Sequence, residues 1–481
     1  MVYNHAFGQS PLVRLWWDAI NNTTASNNPY FNSVARHPFN VGFDFNHESQ
    51  ATRDFVNRCI KFWLQEYHID GIRFDLSKGF TQVNSGSDIG AWGRYDQSRI
   101  NIWRYYSDQI RQYSPNSWLI LEHFADNSEE RELSNNGFLF WGNMNYAYSQ
   151  GAMGYVANSD ISGAFHGNRG WTQPNLVSYA ESHDEERLMY RNLNFGSVTL
   201  NYNTRQPGVA LDRMKLAAAF LYTIPGPKML WQFGELGFDF SINWCTDGTI
   251  NENCRTGDKP VRWDYLRQPD RFKLFQVFQA LFRLKTQYNI FETGNFDLFQ
   301  SGAVKRIRLN DGLNKVVVIG NFGTSNQSIN PNFHRVARWY DFFAGDSLQV
   351  TQTSQTISLR PGEFRIYSTE RFFPVNRDVL ISSAQLDKVS ANGNSVGAIY
   401  PNPSKGVFTI PMMLQNRGEE TFIQIIDASG KMVDSQNLGY QEATNEVNNI
   451  LFTPKVKLPF GIYYINILVG SDRFAQKLIV E

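Results

Sequence analysis

Apolar residues recur every three or four positions between Phe55 and Tyr67: Phe55, Val56, Cys59, Ile60, Trp63, Leu64 and Tyr67 share one helical face. "HIDG" (68–71) ends that helix, and "IRFDL" (72–76) reads as a buried strand. A second helix is predicted from roughly Asp96 to Tyr113, closed by Pro115, with "WLILE" (118–122) as the next strand. The pattern returns with "NLVSYAE" (175–181), a helix around Asp212–Tyr222, "KMLWQF" (228–233) and a helix around Arg271–Thr286. Strand-then-helix alternation over about 280 residues predicts an α/β domain with a parallel sheet, open or closed into a barrel. Residues 6–50, rich in Asn, Pro, Phe and His, read as irregular.

Near Phe291 the period changes. "VKRIRL", "KVVVIGNF", "TISL" and "FRIYS" are short strands between Gly, Asn, Asp and Pro turns, so 291–370 reads as an all-β domain. Residues 371–395 lose periodicity and drift into "SANGNSVG", a linker. From 396 to the end the β pattern resumes with "GVFTI", "TFIQIIDASGKMV", "GIYYINILV" and "RFAQKLIVE", a second β-sandwich.

At 481 residues the chain has room for roughly two to four domains. Lys plus Arg number 45 and Asp plus Glu 45, a balance that argues against nucleic acid as the main partner. No apolar run is long enough to span a bilayer as a helix, and no charged segment followed by an apolar one opens the chain. The many rings (37 Phe, 22 Tyr, 12 Trp) fit either a large core or a cleft whose aromatic faces stack on sugars; composition does not separate these. Cys59 reads as a small buried residue, while Cys245 and Cys254, around "TDGTINEN", can form a small disulfide or stay as two thiols.

Three carboxylates stand at the C-terminal ends of candidate strands taken as successive: Asp75 in "GIRFDLSKG", Glu122 in "WLILEHF" and Asp184 in "SYAESHDEER". In a barrel of parallel strands, catalytic groups from different strands meet at that end. Period two puts Arg73 and Asp75 on one face of their strand, and Ile72 and Phe74 on the other. A buried Arg–Asp pair is costly unless mutually satisfied or used. The bland alternative is an ion pair plus two carboxylates capping helices; three together, with a His directly before Asp184, argue for a site.

"GIRFDLSKG", "LILEHF" and "YAESHDEER" are similar, in order and rough spacing, to three signature segments of glycoside hydrolase family 13, the α-amylase superfamily. "VYNHAFG" resembles the tail of an earlier segment ending in Asn-His, and "PGPKMLWQFGELGFD" the segment at the eighth barrel strand. The resemblance implies a (β/α)8 TIM barrel within 1–290, incomplete at its N-terminus. The first two strand–helix units and most of the third strand are missing on this reading, which makes Met1 an internal methionine. Such a barrel exposes two sheet edges, and little activity is expected of it. The 291–370 domain takes the place of the family's C-terminal sandwich.

The family further implies that Asp75 is the nucleophile, Glu122 the acid and then base, and Asp184 the carboxylate that binds sugar hydroxyls in the transition state. Arg73 would hold Asp75 ionised and oriented, His5 and His183 would hydrogen-bond the sugar, and Lys78 would contact the next sugar. Arg187 falls where many members carry Arg. A retaining hydrolase needs one charged and one protonated carboxyl, roughly 5–5.5 Å apart. Leu119, Leu121 and Phe124 are apolar neighbours that would help keep Glu122 protonated. Gly79 replaces a His that helps hold calcium in many amylases. Asn4 remains as one calcium candidate, and the expectation is no metal and no cofactor.

"YPNPSKGVFTI", "IIDASGKMV", "GIYYINI" and "QKLIVE" resemble the sorting domain of the Bacteroidetes type IX secretion system, against a generic immunoglobulin-like or carbohydrate-binding module. It implies the secretion machinery as partner and a secreted or surface-attached monomer. The expected function is a retaining hydrolase of α-1,4-glucosidic bonds in starch or glycogen. The rivals are an α-1,6 debranching or a branching enzyme and, from another class, an inactive fragment or weak glucan-binding protein.

Overall fold

Period-two alternation on four short strands sorts the residues of the first domain onto two sides of a sheet. The computed structural model describes residues 1–481 apart from 40, 374, 376, 381–393, 398, 415–418, 442–447 and 471. Strands β1 (Gly71–Phe74), β2 (Trp118–Leu121), β3 (Leu139–Asn143) and β4 (Leu176–Tyr179) pair in parallel in that order. Phe74 lies opposite Leu121, and Phe140 opposite Leu176. Ile72, Phe74, Leu119, Leu121, Phe140 and Leu176 pack outward into one apolar cluster. Ile120, Leu139, Trp141, Val177 and Tyr179 form another on the opposite face, with Met229. Apolar packing on both faces is the normal state of a parallel sheet.

Two expectations are corrected here. The carboxylate-bearing strands are not successive, because β3 lies between β2 and β4. "KMLWQF" is not a regular strand: Ser178 N donates to Pro227 O at 3.3 Å and Met229 N to Ser178 O at 3.2 Å, and only Lys228 forms a bridge. Pro225 and Pro227 carry no N–H with which to extend a ladder. At the other edge the N-terminal residues run beside β1: Asp75 N donates to Met1 O at 3.0 Å, and the Met1 amino group to Arg73 O. Among the described residues, the expected barrel is therefore a four-stranded arc with a hydrogen-bonded segment at each side.

Helices cover the outer face. Helix α1 (Gln50–Glu66) buries Val56, Ile60 and Leu64. Helix α2 (Gln97–Tyr113) is capped by Asp96, whose carboxylate accepts from Ser98 N at 2.9 Å and Arg99 N at 3.3 Å. It contributes Ile100, Trp103, Tyr106 and Ile110 to the same core. Helices α3 (Pro207–Tyr222) and α4 (Pro269–Gln287) both start on proline, whose fixed φ suits a first turn. Three of these helices begin a few residues earlier than the apolar period suggests, because their first turns carry mostly polar or small residues.

The second domain shares its core with the first. Its six-stranded antiparallel sheet contains Lys315–Asn321 between Val304–Asn310 and Phe364–Ser368. Alternation again divides it: Ile307, Leu309, Val316, Val318 and Ile366 pack with α3 and α4, while Val317, Ile319 and Trp339 build a separate core on the far side. Arg213 on α3 is fully buried at the junction and donates to the carbonyls of Ala152, Gly323, Gly151 and Phe322 at 2.9, 2.8, 2.5 and 2.5 Å. The linker expected over 371–395 needs correction at its start. Phe372 and Val379 are buried in the shared core, with the Phe372 ring centroid 4.4 Å from that of Tyr288. The middle of that stretch lies outside the described residues.

The C-terminal domain has a four-stranded antiparallel sheet (Met432–Gln441, Glu419–Asp427, Gly461–Val469, Asp472–Val480) and a three-stranded one (Ser395–Val396, Phe408–Met413, Asn448–Phe452). They enclose a core that includes Ile410, Ile425, Ile465 and Leu478.

Arg213→Met is expected to lower stability by roughly 3 kcal/mol or more, since four buried carbonyls lose their donor. The denaturant midpoint of the full chain measures this, and a loss below about 1 kcal/mol would show that the junction does not depend on Arg213.

Candidate active site

The end of β1 carries the first charges above the inner apolar layer. Arg73 lies over Trp141, its guanidinium carbon 4.0 Å from the ring centroid. One terminal nitrogen donates to Asp75 Oδ1, and the other stands 2.9 Å from Glu122 Oε2. One planar cation therefore joins the carboxylates that end two neighbouring strands. The indole below attracts that charge through its π face.

Glu122 is held more closely than Asp75. Its Oε2 accepts from Leu76 N at 2.9 Å. Leu76 has a left-handed backbone, φ 45° and ψ 42°, which aims that N–H at the carboxyl group. Ser77 adds two bonds to the Glu122 carbonyl, from its N at 3.0 Å and its Oγ at 2.8 Å. Ser77 Oγ is also 2.9 Å from His123, whose other ring nitrogen meets Glu129 at 2.8 Å. Glu129 in turn pairs with Arg99 on α2, and these contacts hold its carboxyl down at about 2 against its own burial.

Burial pushes the Glu122 carboxyl up to about 7, and the charges of Asp75 and Asp184 act in the same direction; Arg73 and the Leu76 N–H oppose them. The side chain of Glu122 is 14% exposed and that of Asp75 25%. One carboxyl is thus poised to hold a proton near neutrality beside an ion-paired partner.

Asp184 lies in the loop after β4, with 45% of its side chain exposed. Its Oδ2 is 3.3 Å from His183 Nε2, and its Oδ1 is 3.6 Å from Arg255. His183 stands between two indoles, 5.8 Å from Trp141 and 5.7 Å from Trp231 by ring centroids. Trp231 also lines a hollow of about 310 Å3 with Gln232, Glu235, Val261 and Trp263. His5 is buried, with its edge toward Phe7 and Nδ1 3.2 Å from Asn4 Oδ1. Burial lowers its pKa, and the charge of Asp75 works against that shift.

Lys78 is placed differently from the sugar contact expected of it. Its ammonium donates to Phe124 O at 2.9 Å, lies 4.1 Å over Trp92, and is mostly buried. Arg187 is also turned inward and donates to the carbonyls of Ser182 and Glu185. The surroundings of Asn4 do not fit a calcium site: its amide meets His37 Nε2 at 3.1 Å, and the imidazole fills the space toward the carboxylate of Asp44. A Cβ on Gly79 would come within 2.0 Å of Asn4 Nδ2, so a larger residue there would displace Asn4. Among the described residues, no group of three His, Cys, Asp or Glu is placed to hold a metal ion.

Sequence reasoning missed Trp141, Trp231 and Arg255. The run "FLFWG" between two glycines was the available signal for Trp141; Arg255 had none, since it reaches the site from 71 residues away.

Among curated relatives, the 1,4-alpha-glucan branching enzyme GlgB of Photobacterium profundum is 24% identical over 302 residues, covering 56% of this chain and 39% of that protein. An alpha-amylase from Geobacillus thermoleovorans, solved with acarbose, superposes at a TM-score of 0.53 and 14% identity, over 78% of this chain and 77% of that one. The N-terminal part of this chain is thus similar in sequence to branching enzymes and in fold to alpha-amylases. A pullulanase from Anoxybacillus sp. LM18-11, complexed with maltotriose, shares the fold at a TM-score of 0.52 and 15% identity, over 77% of this chain and 52% of that one. The chain spans about two-fifths of the length of the curated relatives it matches. Residues 398–481 match the family described as "Secretion system C-terminal sorting domain". The N-terminal region is thereby attached to the signal that directs a chain through type IX secretion to the cell surface or the medium.

Glu122 is expected to bind its proton with a midpoint near pH 7, well above an ordinary glutamate. In Arg73→Met the midpoint should move higher still, because the cation that favours the carboxylate is gone. Carboxyl 13C NMR titration, with Glu122→Gln to assign the signal, reads both; a midpoint near 4.5 would remove the poised acid.

Proposed function

We propose that the chain acts on α-glucans as a retaining glycoside hydrolase, with α-1,4-glucosidic bonds as its substrate. The observation that supports this most is the single guanidinium of Arg73 joining Asp75 and Glu122, two carboxyls in unlike environments. Asp75, ion-paired and open to the cleft, attacks the anomeric carbon as the bond to the leaving oxygen breaks. Glu122 gives its proton to that oxygen. A covalent glycosyl-enzyme results, and Glu122, now a carboxylate, takes a proton from the water that displaces Asp75. Asp184 binds sugar hydroxyls as the ring distorts, and His5 and His183 border the reacting sugar. Trp141 and Trp231 stand beside His183, 5.8 and 5.7 Å away by ring centroids.

A second reading has its own support. The curated relative named above and several others are 1,4-alpha-glucan branching enzymes; on this reading a glucan hydroxyl takes the place of water in the second step. Both readings use the same three carboxylates and differ only in the acceptor. The pullulanase likeness keeps α-1,6 bonds as a third outcome of the same assay.

The full chain should shorten linear maltooligosaccharides and release products that initially keep the α configuration, as read by 1H NMR. Glu122→Gln should lower kcat by roughly 10²–10⁴-fold, the usual range for a lost acid–base group. Cleavage confined to pullulan would overturn the α-1,4 assignment. New α-1,6 linkages without net reducing ends would favour branching, and inert glucans would overturn the enzyme reading.

A further inference from the structure

The loop that follows the Trp231 segment is closed on itself and then fastened to the Asp184 segment at two points. Its base is held by Glu186, which accepts from Ser241 Oγ at 2.6 Å and Ile242 N at 2.9 Å. Cys245 and Cys254 are joined by a disulfide, and Cys245 N donates to Thr249 O at 2.8 Å across the hairpin. Lys259 ties the far end down by donating to Cys254 O and Gly257 O, both at 2.8 Å.

The residue immediately after the disulfide is Arg255. Its guanidinium donates to the Asp184 carbonyl and stands 3.6 Å from Asp184 Oδ1. His183 flanks the other carboxylate oxygen at 3.3 Å, so each oxygen has one basic neighbour. The loop bearing Asp184 has no regular structure after Tyr179, and the side chain is nearly half exposed. Among the described residues, the ion-pair neighbours of its carboxylate are Arg255 and the adjacent imidazole.

We propose that Arg255 is a positioning residue for Asp184, delivered by the loop that the Cys245–Cys254 disulfide closes. Closing the loop and orienting the carboxylate are then two sides of one coupling. Coupling between sites is reciprocal: if the disulfide favours the Arg255–Asp184 contact, the contact must favour the disulfide. An open loop would let Arg255 leave, and Asp184 would lose the guanidinium beside its Oδ1.

The proposal rests on the glucan reading only in its kinetic consequence, and one arm of its test needs no turnover. The oxidised full chain is equilibrated with mixtures of reduced and oxidised dithiothreitol, and the Cys245–Cys254 state is read by alkylation and mass spectrometry. Asp184→Asn and Arg255→Ala should each make the disulfide about two- to fivefold easier to reduce, the range for a half-exposed ion pair. The double variant should go no further than either single one. An unchanged equilibrium in both single variants overturns the proposal.

In the kinetic arm, on maltooligosaccharide, Arg255→Ala should lower kcat about tenfold with KM within about twofold, and Arg255→Lys should recover part of the loss. A rise in KM with kcat unchanged would make Arg255 a direct sugar contact and overturn the positioning role. If the unaltered chain leaves glucans intact, the hydrolase reading fails, and the dithiothreitol arm still decides this one.

Discussion

A guanidinium over an indole organises the end of the sheet that carries Asp75 and Glu122. Arg73 could not be tolerated above an apolar layer without partners, and the end of the sheet supplies two, Asp75 on its own strand and Glu122 on the next. The parallel register of β1 and β2 sets these carboxyls side by side, and the cation keeps them from repelling each other apart. Asp75 takes the more open place, while the left-handed turn at Leu76 brings a backbone N–H onto the more buried Glu122. The difference between the two carboxyls, on which a two-step displacement depends, therefore comes from chain geometry around one shared charge.

The scaffold behind the site is built in two pieces with different partners. The β1–β2 side packs against α1 and α2, and a buried chain of Arg99, Glu129, His123 and Ser77 connects that core to the Glu122 backbone. The later helices α3 and α4 turn instead to the β-sandwich, with which they form one continuous core. Arg213 satisfies carbonyls from both sides of that seam, so the sandwich is a structural part of the N-terminal α/β region rather than an appendage. The sorting domain has its own core and its own pair of sheets. A disulfide beside the cleft accords with export, since such bonds persist in oxidising surroundings.

Legibility from sequence followed burial. Helix α2 was readable almost to the residue because Asp96 caps it and one face alone is apolar. Strand β1 was readable because polar Arg73 and Asp75 alternate with Ile72 and Phe74. Strand β3 was not, since "LFWG" is buried on both faces and shows no alternation to distinguish it from other core. "KMLWQF" misled in the opposite sense: its composition is that of a strand, but prolines on its leading side leave it with a single bridge. Lys78 shows the limit for a site residue, because a charge near a cleft can point either way, and here Trp92 and the Phe124 carbonyl draw it inward.

The sequence by itself determined which groups were available and in what order: three carboxylates following candidate strands, an arginine two residues before the first, two cysteines nine apart, and a sorting module. Those features are local, and local spacing along a strand or turn follows from covalent geometry. The tertiary structure alone decided that Trp141 would carry Arg73, that burial would bring Glu122 near neutrality, and that Arg255 would reach Asp184. Each of these depends on the distance between segments far apart in the chain, and on how much water their packing removes.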